Sequence, residues 1–78
     1  MVAVRISDDV WGEAEGEALL ERWLVPEGAR VVAGQPLAEA VIIKSNVEVV
    51  APGDGVLARI LVPERGTFAR GQDLAIIA

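Results

Sequence analysis

Apolar and polar residues change places every two or three positions along this chain, and no helical period outlasts a single turn. Residues 2–6 alternate as a first strand. Ser7 to Glu17 (SDDVWGEAEGE) is polar, acidic and interrupted by two glycines, which predicts a loop. Ala18 to Val25 then reads as a strand closed by Pro26-Glu27-Gly28. Val31-Val32 is a short strand, Ala33-Gly34-Gln35-Pro36 a tight turn, and Leu37 to Ile43 a strand. Val47 to Val50 and Val56 to Val62 flank an Ala51-Pro52-Gly53-Asp54-Gly55 corner. After the Pro63 to Gly66 turn come a short strand at Phe68, a turn at Arg70 to Asp73, and a last strand over Leu74 to Ile77. Short strands punctuated in this way predict an all-β barrel or sandwich.

The pattern is used twice. Residue n set against n + 37 aligns 16–41 with 53–78 without a gap, and 11 of the 26 positions are identical. They include Leu20/Leu57, Arg22/Arg59, the run Leu24-Val25-Pro26-Glu27 with Leu61-Val62-Pro63-Glu64, and Gly34-Gln35 with Gly71-Gln72. A solenoid needs about three or more repeats, so two copies predict one body with approximate two-fold symmetry, each half covering the other's apolar face. Trp23 aligns with Ile60 and is therefore expected in or near the core. The Val41 to Val49 hairpin that joins the halves has no full counterpart. Its image falls at the chain ends, which places the two on opposite sides of the body.

Composition narrows the chemistry. At 78 residues the chain is one domain, 1–78, near the lower limit for a fold held by its core alone. Histidine, cysteine and tyrosine are all absent, which removes the commonest general base and metal ligand together with thiol chemistry. Catalysis by its own side chains is not expected. Apolar runs fall far short of the roughly 18 residues of a membrane span, and the N-terminus has no secretory pattern, so a cytoplasmic, monomeric domain is expected. A net charge of −5 argues against nucleic acid and anionic membrane as partners.

Against that background one residue stands apart. Lys44 is the only lysine; the other six basic residues are arginines. It lies between two β-branched runs, Val41-Ile42-Ile43 and Val47-Glu48-Val49, beside the turn formers Ser45 and Asn46, so a hairpin should display it in water. Lysine differs from arginine in offering an amine that can shed its proton and be acylated. Glu48 would support the hairpin across the strand pair or simply face solvent. Trp11, with Glu13 in the acidic loop, would flank the hairpin as a partner contact, or Trp11 would pack beneath its own loop.

The hairpin lysine followed by Glu48-Val49, Ala51-Pro52 and Gly55 resembles the pattern of lipoyl domains and their biotinyl relatives. Gly34-Gln35-Pro36-Leu37 and Gly71-Gln72-Asp73-Leu74 are similar to that family's turn segments, and Gly12 to Gly16 to its acidic first loop. Lipoyl domains commonly place Asp before the lysine and Ala after it, where this chain has Ile43 and Ser45. The paired Met residues of biotin carriers are also absent.

The resemblance implies a flattened barrel or sandwich of two four-stranded antiparallel sheets with quasi-two-fold symmetry. It implies lipoate held covalently on Lys44, with Ile43, Ser45 and Glu48 as flanking recognition positions. The implied role is a non-catalytic, swinging-arm acyl carrier of a 2-oxo acid dehydrogenase complex. Its partners would be a lipoate ligase or lipoyl transferase and the decarboxylase and dihydrolipoyl dehydrogenase components. A biotin carrier and an unmodified interaction module are the alternatives.

Overall fold

Alternating β-branched segments need partners for both their backbone groups and their apolar faces. The computed structural model, which describes residues 1–78, shows how they find them. Eight strands form: β1 (Val2–Val4), β2 (Glu17–Trp23), β3 (Arg30–Val31), β4 (Pro36–Ile42), β5 (Ser45–Val50), β6 (Gly55–Ile60), β7 (Thr67–Ala69) and β8 (Ala75–Ile77). They pair into two four-stranded antiparallel sheets, ordered β1-β8-β6-β3 and β5-β4-β2-β7. The sheets pack as a flattened sandwich of 32 × 22 × 17 Å.

The internal repeat is visible in the register. Leu20↔Ala40, Arg22↔Glu39 and Trp23↔Ala38 in one sheet match Leu57↔Ile77, Arg59↔Ile76 and Ile60↔Ala75 in the other, each position shifted by 37. The irregularity between Leu20 and Arg22 recurs between Leu57 and Arg59. Even the side chains that tie backbone ends repeat. Gln35 accepts from the Val32 N–H and Gln72 from the Ala69 N–H. The same rotation carries β4 onto β8 and β5 onto β1, so it exchanges the β4–β5 hairpin with the chain ends.

The core is made entirely of apolar side chains, with Leu20, Leu37, Leu57, Leu74 and Phe68 among the most buried, and it contains no polar or charged residue. Trp23 is half-buried against it, its indole N–H donating to the Val62 carbonyl at 2.8 Å, which supplies the partner a buried indole requires.

One element departs from expectation. The acidic first loop contains a single helical turn, α1 (Asp8–Trp11). Ser7 precedes it, Asp8 and Asp9 favour the positive end of its dipole, and Trp11 is driven inward. Arg70 clamps the turn from outside, donating from Nε to Asp8 at 3.1 Å and from a terminal nitrogen to the Gly12 carbonyl at 2.9 Å.

Candidate functional site

The β4–β5 hairpin closes with a two-residue loop. Ile42 pairs with Ser45, and Ile43-Lys44 form the turn. The sequence leaves Lys44, Ser45 and Asn46 at the tip between the strands; Lys44 is in the turn, but Ser45 and Asn46 are strand, Asn46 opposite Val41. The ladder ends at Pro36↔Val50 and leaves the corner that follows it free.

Lys44 is exposed at the apex and forms no ion pair; the three ion pairs in the protein join Arg5 to Asp73, Arg22 to Glu39 and Arg70 to Asp8. Its neighbour is unusual. Ile43 has φ +56°, and the residue is 63% exposed. A positive φ at the first position of a two-residue hairpin loop with a negative one at the second is the pattern that glycine normally fills. For a β-branched residue it costs on the order of 1–3 kcal/mol. Ile42, by contrast, turns inward and is buried, which anchors the hairpin from below.

Two expected contacts are placed elsewhere. Trp11 is 3% exposed and meets Phe68 edge-on at 6.0 Å, so it belongs to the core and cannot serve as a partner contact. The residue of that loop turned to solvent beside the hairpin is Val10, which shares a shallow groove with Glu48, Val49 and Val50. Glu13 is exposed in the same loop. Glu48 does not brace the hairpin. It is exposed and stands directly opposite Glu39, a like charge, while Glu39 is engaged by Arg22 at 2.7 Å. Ser45, the first residue of β5, is exposed.

The largest concavity, about 520 Å³, lies between Trp23-Leu24-Val25-Pro26 and Ile60, Pro63 and Glu64, so that Trp23 and Pro26 face it together with their repeat counterparts Ile60 and Pro63. None of the residues that line it belongs to the β4–β5 hairpin. Glu64 is its one ionisable lining residue. No cluster of carboxylates in the protein has the arrangement of a metal site.

What the tip offers is one acylatable amine, unpaired, raised on a rigid two-stranded support with no side chain arranged to react with it. An arm joined there by an amide has open space around its anchor and a firm base beneath it. The residues present therefore fit a covalently held group.

A family model described as "Biotin-requiring enzyme" matches residues 8–77. Among solved structures, the chain is similar to the solution structure of the lipoyl domain of the 2-oxoglutarate dehydrogenase complex from Azotobacter vinelandii. The identity is 22%, the match covers 100% of this chain and 96% of that one, and the TM-score is 0.79. No curated protein matches the sequence.

Proposed function

This chain belongs to the biotin/lipoyl attachment family, and on that premise we propose that it is a swinging-arm carrier bearing lipoate on Lys44. One observation carries the reading: the protein's single lysine is exposed, free of ion pairs, and held at the apex of a two-residue hairpin loop. The likeness in fold to a lipoyl domain supports lipoate over biotin. So does the absence of methionine on either side of Lys44.

When bound as an amide, lipoate would supply a dithiolane that takes up and passes on acyl groups. This chain's own residues contribute position. Val41-Ile42 and Ser45-Asn46 hold the anchor rigidly, the apolar core fixes the hairpin to the sandwich, and the tip stands clear of every other element. A tethered arm is kept near each enzyme at high effective concentration. The partners in this reading are a lipoate ligase or lipoyl transferase, the decarboxylase of a 2-oxo acid dehydrogenase complex, and dihydrolipoyl dehydrogenase.

Co-expression with a lipoate ligase and, separately, a biotin ligase tests this through intact mass and avidin binding. Lipoyl mass on the wild type and none on Lys44→Arg is the expected result. Avidin capture would favour a biotin carrier, and no modification by either enzyme would leave only an interaction module.

A further inference from the structure

The two sheets are images of one another in backbone but not in charge. Strands β2, β4, β5 and β7 carry four glutamates, Glu17, Glu21, Glu39 and Glu48, and one arginine, Arg22. Strands β1, β3, β6 and β8 carry two arginines, Arg30 and Arg59, and no acid. The difference lies on the outer faces. Ala75 and Ile77 are buried, so Ile76 between them points outward, and Arg59 and Ala3 stand on either side of it in the ladder. In the sister sheet the same row reads Arg22, Glu39 and Glu48. Arg22 is paired with Glu39 at 2.7 Å, whereas the acid that Arg59 would need is replaced by Ile76. Arg59 and Arg30 are both exposed and form no ion pair. One face thus lacks a carboxylate. The other has one too many: Glu48 stands against Glu39 with Arg22 already engaged, and Glu21, Glu39 and Glu48 line a single depression.

We propose that the outer face of the β1-β8-β6-β3 sheet docks on the outer face of the β5-β4-β2-β7 sheet of a second copy of this chain. Arg59 and Arg30 of one copy meet Glu48 and its acidic neighbours on the next, while Ile76 and Val56 meet the half-buried Leu19 and Val41. The cation missing from one face is the one left over on the other, and both faces are built from the same repeat, so they share size and twist. A net charge of −5 does not forbid the contact. At physiological salt fields fade over about 8 Å, less than the roughly 10 Å between packed sheets, so each face acts by its own charge. The broad side of the sandwich measures 32 × 22 Å, about 700 Å², which falls short of the ~800 Å² per partner of a lasting complex. The contact is therefore transient and forms where copies are crowded. The two surfaces differ, so copies stack head to tail. Lys44 projects from the ends of β4 and β5 rather than from a face, so stacking leaves it open, and the contact does not depend on what Lys44 carries.

The test is a concentration series of the ¹⁵N-labelled wild type, from about 0.05 to about 2 mM, read through its amide chemical shifts. Two clusters are expected to move together: Ala3, Val56, Arg59 and Ile76 on one sheet, and Glu21, Glu39 and Glu48 on the other. The variant Arg30→Glu/Arg59→Glu changes only exposed positions and should melt with the wild type. Its self-association should weaken roughly tenfold or more, which removes the concentration dependence over this range. Labelled and mixed with unlabelled wild type, the same variant should shift only at Glu21, Glu39 and Glu48, because it has lost one face and kept the other. Arg30→Gln/Arg59→Gln, which removes the charges without reversing them, guards against a folding defect and should also weaken the contact severalfold. Raising the salt to about 0.5 M should weaken it in the wild type. Wild-type shifts that stay constant over the whole series, fall on other surfaces, or persist in both variants would overturn the proposal.

Discussion

Glu27 and Glu64 are images of one another, and each ties down the other half of the protein. Glu64 accepts the Trp23 backbone N–H at 3.1 Å, and Glu27 accepts that of Ile60 at 2.7 Å, where β2 and β6 end. Each carboxylate holds a strand end that lies beyond the short β7 or β3 ladder on its outer side. Glu27→Ala and Glu64→Ala are each expected to lower stability by about 1 kcal/mol, and the Gln variants, which keep an acceptor, by less. Urea denaturation of the singles and the double would show near-additive losses, since the two bonds share no atom.

Gly28 and Arg65 occupy the same place in the two halves. Their φ angles are +90° and +68°, and their N–H groups donate to Leu57 and Leu20 at 2.7 and 2.8 Å. Only glycine adopts this backbone without strain, so Arg65→Gly should raise stability by up to about 1 kcal/mol, and Gly28→Ala should lower it by at least as much. Thermal melts of the two variants, shifted in opposite directions, are the expected outcome.

Gly55 is required for a different reason. A Cβ there would lie 2.4 Å from the Ala78 carbonyl oxygen and 2.7 Å from Ile77 Cγ2. Because the obstruction is backbone, Gly55→Ala should cost about 1–3 kcal/mol. Hydrogen exchange should locate the damage at the reciprocal Val56–Ala78 bonds, now 2.9 and 3.0 Å.

Trp11 tests whether an aromatic residue in an acidic loop is core or contact. Its burial against Phe68 predicts that Trp11→Ala loses about 3–5 kcal/mol, enough to unfold most of a domain this small. Trp11→Phe, which keeps an apolar ring, should remain folded and accept lipoate at the wild-type rate. A large loss of modification in a folded Trp11→Phe would restore the docking role.

Glu48 opposite Glu39 is a local repulsion. Glu48→Gln should leave stability unchanged or raise it by a few tenths of a kcal/mol, with the gain shrinking as salt is added. Denaturation at low and high ionic strength separates this from a packing effect.

Much of this architecture could be read from residue order because the chain states it twice. The strands follow from alternation, and the two-fold from the 37-residue offset that the ladders reproduce. What escaped was decided at a distance. The turn falls on Ile43-Lys44 rather than on Lys44 to Asn46 because Ser45 and Asn46 join the ladder opposite Ile42 and Val41. The loop gained a helical turn because Trp11 reaches Phe68, far along the chain. Glu48 gained a like-charged neighbour through a pairing that no local spacing reveals. Ile43 was the least legible, since a β-branched residue is the last choice for a left-handed backbone and gives no turn signal.

The rotation that superposes the halves brings Ala78 onto Val41 and Met1 onto Asn46, the residues that bracket Ile42-Ile43-Lys44-Ser45. Four residues copied from that segment would thus suffice to stitch position 78 to position 1. The resulting ring would carry twin lysines facing away from each other, each on a hairpin of the same build.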